Sequence, residues 1–443
     1  MVPRRLIFLG LDGVGLELAS SLAGRGVMPN LGRLLARGEA WSTASPLPEV
    51  SPVCWTSMFS GQGPGGHGIF GFAAPMAGTY RITPCDSTMV QAPRLWELAG
   101  RAGLASVVLN VPLTYPAAPL KGTMVSGFVT TDLSKGVYPP ELLPRLQAMG
   151  YRPEAELETG RGDPAALLAD VSQALAVRLE LFEETWDQAW DLWVGVIGDT
   201  DRVNHFAWPA LWEPEHELAQ AALAVYRQVD EHVGRLWQRF GPEVEAGQAA
   251  LMIAADHSFG PIVSEVYINQ WLISEGYLAV EGAPPHERIL PATRALALDP
   301  GRIYLHRASL FPGGSITPGP EADRLLGEIA GKLMALRFSR VAQGPNGPKL
   351  DSQAPVARMH RGRELYHGPQ ALLAPDLVAE PAHGYSLRGG LDRAGVFGLS
   401  HLTGTHRPQG GLALMLPPPP DKPIALEGLF GLMAGALGLE ASA

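Results

Sequence analysis

Cysteine is scarce in this chain, since only Cys54 and Cys85 occur among its 443 residues. Their spacing fits no zinc-ligand motif, and two cysteines cannot form a disulfide framework. The sequence therefore excludes a cysteine-based metal site and a fold held together by disulfides. Cys54 is expected to be a packed core residue.

Long hydrophobic runs are also missing. The longest candidate, Ile424–Leu439, contains Glu427 and several glycines, so it predicts a terminal helix rather than a membrane span. Near the N-terminus, the apolar run Leu6–Leu11 is short and is followed by Asp12, which predicts a core strand rather than a signal peptide. No membrane association is expected, and a cytoplasmic location follows as the default.

Charge is low and unbalanced: 18% of the residues are charged, and the net charge is −10. An acidic balance disfavours general binding to nucleic acids or anionic membranes. An acidic enzyme can still take an anionic substrate where metal ions dominate the local field. The 46% of hydrophobic residues can fill one large core or two modest ones. The sequence carries no signal for a particular oligomeric state.

Alternating apolar strands and helices predict an α/β fold, with a mostly parallel central sheet between helical layers. Apolar runs at residues 6–11, 191–197 and 249–255 predict buried strands of this sheet. Because the carboxyl ends of parallel strands meet at one edge, polar residues that follow these runs are expected to lie together.

Aspartates and histidines follow all three runs. Asp12 follows the first, Asp201 and His205 follow the second, and Asp256 and His257 follow the third. Asp201 and His205 are four residues apart, so one helical turn would place both on one face. Carboxylates and imidazoles gathered at strand ends are typical of a catalytic metal centre.

Some of these signals have a simpler structural explanation. Asp12 precedes a glycine and fits a turn. The spacing of Asp201 and His205 also fits a solvent-exposed contact along a helix. A single late histidine, His406, is more often structural than a ligand. The adjacent carboxylate and imidazole after the third strand are harder to explain without a functional site.

Residues 51–61 predict a short helix. Ser51 suits its N-cap, Pro52 its first turn and Gly61 its C-terminal stop. The structural explanation is a capping serine. The same geometry would place the Ser51 hydroxyl where the helix N-terminus favours a phosphate. A hydroxyl activated there by a metal can attack phosphorus.

Together, these segments resemble the alkaline phosphatase superfamily, in its type I phosphodiesterase/nucleotide pyrophosphatase branch. The resemblance runs from Leu6 to about Leu439. It is carried by short motifs at residues 9–13, 29–31, 51–61, 67–70, 110–115, 125–128, 201–205, 255–257 and 404–407.

The resemblance implies two divalent cations held by aspartates and histidines. The implied ligands are Asp201, His205 and His406 for one ion, and Asp12, Asp256 and His257 for the other. Ser51 would lie at or between them, because the family nucleophile lies ten residues before the glycine that closes its helix. Thr56 is the second choice. The mixture of nitrogen and oxygen donors favours Zn²⁺, with Mn²⁺ or Fe as alternatives.

Departures from the family pattern bear on the substrate. The asparagine that helps to clamp the phosphoryl group in nucleotide pyrophosphatases is replaced near Phe72. Trp55 stands where sulfatases carry the arginine of their maturation signal, which argues against a sulfatase. Trp55 and Phe72 are predicted to contact an apolar ester group, with a core role as the alternative for Trp55. Arg202 and Arg407 flank metal ligands and are the predicted sources of positive charge.

The site residues come from both ends of the chain, so the catalytic domain must be discontinuous. We assign it residues 1–135, 191–282 and 376–443, and we assign residues 136–190 and 283–375 to insertions that form cap segments around the active site.

The expected function is two-metal-dependent hydrolysis of phosphodiester or nucleotide pyrophosphate bonds in a small phosphoester substrate, through a phosphoseryl intermediate. A phosphomonoesterase or phosphotransferase on the same scaffold is the alternative among enzymes. A catalytically inactive, metal-stabilised binding protein is the alternative of another class. The intact ligand set disfavours the last, because such a protein has no structural reason to keep a hydroxyl beside the metals.

Overall fold

The computed structural model describes residues 5–156, 162–282, 288–344 and 347–440. The chain divides into two compact units. The first is formed by Met1–Ile69, Asp86–Phe259 and His401–Ala443, and the second by Phe70–Cys85 and Gly260–Ser400. All seven predicted ligand and nucleophile residues belong to the first unit, which is therefore built from three separate chain segments.

The helices and strands are numbered along the chain. The helices are α1 (Leu16–Gly24), α2 (Pro29–Arg37), α3 (Ser51–Ser60), α4 (Pro64–His67), α5 (Leu95–Arg101), α6 (Leu143–Met149), α7 (Pro164–Glu184), α8 (Asp199–Ala207), α9 (Ala219–Glu245), α10 (Ile268–Ser274), α11 (Pro320–Ala335), α12 (Gly362–Leu365) and α13 (Leu429–Ala436). The strands of the first unit's main sheet are β1 (Arg5–Leu11), β2 (Trp41–Ala44), β5 (Ser106–Leu109), β6 (Gly122–Val125), β7 (Val137–Tyr138), β8 (Leu192–Ile197), β9 (Ala249–Ala254) and β23 (Gln409–Leu416). The remaining strands are β3 (Ala73–Pro75), β4 (Ile82–Pro84), β10 (Ser258–Pro261), β11 (Ser264–Tyr267), β12 (Val280–Glu281), β13 (Arg288–Ile289), β14 (Ala295–Leu298), β15 (Arg302–Leu305), β16 (Phe338–Gly344), β17 (Gly347–Gln353), β18 (Val356–Arg361), β19 (Leu377–Pro381), β20 (Tyr385–Arg388), β21 (Phe397–Gly398) and β22 (Gly404–Arg407).

The main sheet has the order β2-β23-β9-β1-β8-β5-β6-β7. Strands β9, β1, β8, β5 and β6 run parallel, and the outer strands pair antiparallel. The predicted mostly parallel α/β sheet is confirmed. The three apolar runs identified in the sequence form the adjacent strands β9, β1 and β8, so their carboxyl ends meet at one edge.

Hydrophobic cores cover both faces of this sheet. Along β1, Ile7 and Leu9 face one core, and Leu6 and Phe8 face the other. Helices α1, α2, α7 and α9 supply the first core, and α3, α5 and α13 supply the second. Because both faces of β1 are buried, its sequence is continuously apolar. Cys54 is buried in the second core, as predicted.

The second unit has its own core. It combines a four-stranded sheet of order β14-β15-β19-β18 and a three-stranded sheet of order β20-β11-β21 with helices α10 and α11. The apolar stripe of α11 packs into this core through Leu325, Ile329 and Leu333. Among the described residues, no helix is long and apolar enough to cross a membrane.

The unit boundaries differ from the domain boundaries predicted above. Residues 136–190 belong to the first unit, where α7 packs against α8 and α9. Residues 260–282 and 376–400 belong to the second unit instead. An amphipathic pattern shows that a helix has a buried face, but it does not identify the element that this face covers.

Candidate active site

Ser51 is the first residue of α3. Val50, with an extended backbone, occupies the N-cap position, so the predicted N-cap role of Ser51 was wrong by one residue. Pro52 lies in the first turn, and α3 ends as predicted at Gly61, whose φ of 68° favours glycine. Ser51 is 6% exposed, and its Oγ donates a hydrogen bond to Asp12 Oδ1 at 3.4 Å. The hydroxyl thus lies at a helix N-terminus and beside a carboxylate.

Thr56, the second candidate nucleophile, lies inside α3. Its hydroxyl donates to the Pro52 carbonyl oxygen at 2.6 Å and is buried. This bond commits the Thr56 hydroxyl to the helix backbone. The geometry therefore favours Ser51.

Asp12 follows β1 and has two differently placed oxygens. Oδ2 accepts a hydrogen bond from Trp55 Nε1 at 3.0 Å, whereas Oδ1 lies 3.6 Å from His257 Nε2. Trp55 is completely buried in the core, which favours the core role over contact with an ester group. Its polar function is to hold Asp12, which the sequence did not reveal.

Helix α8 presents Asp201 and His205 on one face, as their spacing predicted. Asp201 Oδ1 lies 3.2 Å from His406 Nε2 and 3.6 Å from His205 Nε2. Asp201 Oδ2 accepts a hydrogen bond from Arg202 Nη1 at 3.2 Å. One oxygen of Asp201 is therefore held by Arg202, and the other faces His205 and His406.

Asp256 and His257 follow β9 and are fully buried. Asp256 Oδ1 accepts the Gly13 N–H at 3.1 Å. Asp256 Oδ2 and His257 Nε2 lie 3.3 Å apart, and within the described part of the chain neither atom has a hydrogen-bond partner. Buried polar atoms without partners are costly in a folded protein, and a bound cation would satisfy both.

The histidines are oriented in a common way. Each places Nδ1 against a backbone carbonyl oxygen: Gly404 for His205 at 3.0 Å, Glu49 for His406 at 2.7 Å and Ser258 for His257 at 3.3 Å. With a proton on Nδ1, each Nε2 carries a lone pair. The Nε2 atoms of His205 and His406 lie 3.0 Å apart. Two facing lone pairs repel each other, so this arrangement is suited to a cation.

The donor set therefore fits divalent metal ions. Among the described residues, two sets of three side chains could each hold a metal ion, because the ligand atoms within a set all lie within 4.8 Å of one another. Asp201, His205 and His406 form one set, and Asp12, Asp201 and His257 form the other. The first is the set that the family resemblance implies. The second contains Asp201 in place of Asp256, whose Oδ2 nevertheless lies close to His257 Nε2.

Close packing of these groups shifts their pKa values. Burial raises the pKa of Asp12 well above its ordinary value, and the carboxylates of Asp256 and Asp201 raise it further. Burial also raises the pKa of Asp256 to about 7. For Asp201, burial acts upward, but His205 and His406 outweigh it and hold the pKa far below its ordinary value. The site concentrates ionisable groups that a cation can compensate.

Further residues, which the sequence did not identify, fix the backbone of the site. Thr200 Oγ1 donates to the Asp12 carbonyl oxygen at 2.6 Å. Asn204 Nδ2 donates to the Gly13 carbonyl oxygen at 3.0 Å, and Asn204 Oδ1 accepts from the Tyr226 hydroxyl at 2.7 Å. Thr200 and Asn204 lie beside predicted ligands in the sequence, but nothing in their spacing indicates which carbonyl they bind.

The remaining predicted substrate contacts are placed as follows. Arg202 pairs with Asp201 and with Glu154. Arg407 ends β22 and is half-buried, with its carbonyl oxygen 3.4 Å from Ser258 Oγ. Phe72 belongs to the second unit, where its carbonyl oxygen accepts the Cys85 N–H at 2.8 Å. Substrate contacts by Arg407 and Phe72 stay predictions.

A family model described as type I phosphodiesterase/nucleotide pyrophosphatase matches residues 6–406. The chain belongs to this family. The type I phosphodiesterase/nucleotide pyrophosphatase family consists of hydrolases that act on phosphoester bonds, which confirms the predicted class of enzyme. No curated protein matches the chain significantly by sequence.

Solved structures share the fold. Phosphonoacetate hydrolase from Sinorhizobium meliloti 1021, in complex with phosphonoformate, superposes with a TM-score of 0.62 at 18% identity, covering 98% of this chain and 96% of that one. Murine ectonucleotide pyrophosphatase/phosphodiesterase 5, as an inactive threonine-to-alanine variant in complex with AMP, gives 0.56 at 12% identity, covering 99% and 96%. The human form gives 0.57 at 12% identity, with the same coverage.

The Trp55–Asp12 hydrogen bond leads to a testable prediction. Trp55→Phe keeps an aromatic ring in the core but removes the N–H that holds Asp12 Oδ2. Because loss of a group that orients a metal ligand costs about 10–100-fold in metal affinity or activity, we expect losses of that size in both. Competition with a chelator measures zinc affinity, and phosphodiester turnover measures activity.

Trp96→Phe is the matched control. Trp96 lies in the same core and is 2% exposed, and in the described part of the chain its Nε1 has no hydrogen-bond partner. The Trp96→Phe variant should lose similar packing contacts but retain the zinc affinity of the wild type. Equal losses of zinc affinity in both variants would show that packing, and not the bond to Asp12, is responsible.

Proposed function

We propose that this enzyme is a two-metal-dependent hydrolase of phosphodiester or nucleotide pyrophosphate bonds that forms a phosphoseryl intermediate on Ser51. The observation that carries the proposal is the position of Ser51. Its hydroxyl lies at the N-terminus of α3, and its Oγ is 3.4 Å from Asp12 Oδ1. The same Asp12 oxygen faces His257 Nε2, so the hydroxyl adjoins the candidate metal ligands.

The candidate metal ligands form two sets, one for each ion. Asp201, His205 and His406 would hold one, and Asp12, Asp256 and His257 would hold the other, with Asp201 within reach of both. Bound divalent cations would lower the pKa of the serine hydroxyl and compensate charge on the phosphoryl oxygens. The mixed nitrogen and oxygen donors favour Zn²⁺, with Mn²⁺ or Fe next.

The protein's own groups prepare the attack. Trp55 fixes Asp12, and Asp12 orients the Ser51 hydroxyl. Ser51 Oγ forms a bond to phosphorus while the ester P–O bond breaks, and the leaving alcohol takes up a proton. Water then cleaves the Ser51 phosphoester and restores the hydroxyl. The partial positive charge at the start of α3 favours the anionic phosphoryl group in both steps.

The solved relatives support this chemistry. The AMP complex of the murine enzyme was obtained with an inactive variant that lacks a threonine hydroxyl. Phosphonoacetate hydrolase holds the small phosphonate phosphonoformate. The inactivity of the threonine variant is consistent with a hydroxyl nucleophile, and both complexes hold a small phosphorus-containing ligand. A phosphomonoesterase on this scaffold remains the alternative within the same class.

Diesters are expected to be better substrates than monoesters or sulfates. A phosphomonoester dianion needs an additional cation, often arginine. Arg202 lies next to Asp201, but two carboxylates already compensate its charge. A diester monoanion needs less compensation. Values of kcat/KM for matched p-nitrophenyl diester, monoester and sulfate substrates on the zinc-loaded enzyme measure the preference.

The phosphomonoesterase alternative predicts that kcat/KM is higher for the monoester than for the diester. A monoester advantage of about tenfold or more corresponds to ~1.4 kcal/mol of transition-state binding. That result would replace the diesterase proposal with the phosphomonoesterase.

A further inference from the structure

Arg202 is held between two carboxylates at the edge of the candidate metal centre. Its Nη1 donates to Asp201 Oδ2 at 3.2 Å, and its Nη2 donates to Glu154 Oε2 at 3.0 Å. Its guanidinium carbon lies 4.6 Å from the centre of the Phe128 ring. The two nitrogen atoms thus donate to different carboxylates, while the Phe128 ring packs against the guanidinium.

Among the described residues, Glu154 belongs to neither candidate set of metal ligands. Metal binding therefore does not explain why Glu154 contacts Arg202. The side chain of Glu154 is 21% exposed and that of Arg202 is 17% exposed, so solvent reaches both. The Arg202 guanidinium thus lies beside the candidate metal ligand Asp201 and remains partly exposed to solvent.

We propose that Glu154 is a specificity-determining residue, which compensates the charge of Arg202 and so disfavours dianionic phosphate groups. With Asp201 and Glu154 both ionised, the three side chains carry a net charge of −1. A dianion that approaches Arg202 must compete with a carboxylate already hydrogen-bonded to it, whereas a diester monoanion has less need of that contact. This inference rests on the proposed function and names the residue that sets its preference.

Glu154→Gln tests the inference, because the amide keeps the size of the side chain and removes its charge. Arg202 then becomes available to an anion. Hydrogen bonds that involve charged groups are the stronger ones, so the zinc-loaded variant should bind inorganic phosphate with an affinity about tenfold or more above that of the wild type. Calorimetry measures this affinity independently of turnover. The ratio of monoester to diester kcat/KM should rise by a similar factor.

Two variants serve as controls. Glu156→Gln removes the same charge from an exposed side chain two residues away and should leave phosphate affinity unchanged. Glu154→Gln combined with Arg202→Met should show no gain over Arg202→Met alone, because the effect requires the guanidinium. Zinc content is measured for every sample, since Arg202 also contacts Asp201.

The outcomes separate this inference from the proposed function. Unchanged phosphate affinity in Glu154→Gln would overturn the role of Glu154, whichever esters the enzyme hydrolyses. Lower zinc content without a gain in phosphate affinity would also overturn it and would assign the pair to holding Asp201. Tighter phosphate binding in an enzyme that prefers monoesters would support the role of Glu154 and contradict the proposed diesterase.

Discussion

Ser51→Ala is expected to lower turnover by ~10³-fold or more, because it removes the group that forms the covalent intermediate. The fold should persist. Ser51 is not the N-cap of α3, and the hydrogen bond that it loses, at 3.4 Å from Asp12, is long. A typical hydrogen bond contributes only about 1 kcal/mol to stability. Steady-state kinetics, zinc content and thermal unfolding of the variant measure the three properties.

Thr56→Val is the matched control, since it removes a hydroxyl from the same helix with little change in shape. The Thr56 hydroxyl is bonded to the helix backbone, so this variant should retain most of its activity. Acid quenching of the wild-type reaction, followed by peptide mass spectrometry, should locate the phosphoryl group on Ser51. Retained activity in Ser51→Ala together with lost activity in Thr56→Val would move the nucleophile to Thr56.

Features that depend on local sequence were predicted well. A continuous apolar run buried on both faces produced β1, and the four-residue spacing of Asp201 and His205 placed both on one face of α8. Ser51 was assigned to the right helix but to the wrong cap position, because Val50 and Ser51 differ in backbone angles and not in sequence pattern. These predictions rest on periodicity, which a short segment contains by itself.

Features that depend on long-range packing were not predictable. Trp55 looked like a substrate contact, but its indole N–H holds Asp12, which lies 43 residues away in the sequence. Arg202 was predicted as a source of positive charge, but the sequence did not show that it pairs with Glu154, which lies 48 residues away. The tertiary fold alone decides whether such a side chain faces a substrate or a neighbouring carboxylate. The residues of the site were therefore easier to predict than their partners.

Metal binding should depend most directly on His406. Its Nε2 lies 3.0 Å from His205 Nε2 and 3.2 Å from Asp201 Oδ1, while the Glu49 carbonyl oxygen fixes the other ring nitrogen. His406→Ala removes one of three donors from its group. Zinc content should fall from two ions per chain to about one, because a site that lacks a ligand holds its ion poorly. Turnover should fall by ~10²-fold or more, since the remaining ion cannot compensate the same charge.

His401→Ala is the control, because it removes an exposed imidazole from the same chain segment and should retain both ions. A second readout does not require activity. A ligand that binds only the folded state stabilises it by about 2.7 kcal/mol at a concentration 100 times its Kd, so added zinc should raise the Tm of the wild type more than that of His406→Ala. Equal zinc content and equal thermal shifts in wild type and His406→Ala would show that His406 is not a ligand. The contact between its Nε2 and that of His205 would then require a shared proton instead of a metal ion.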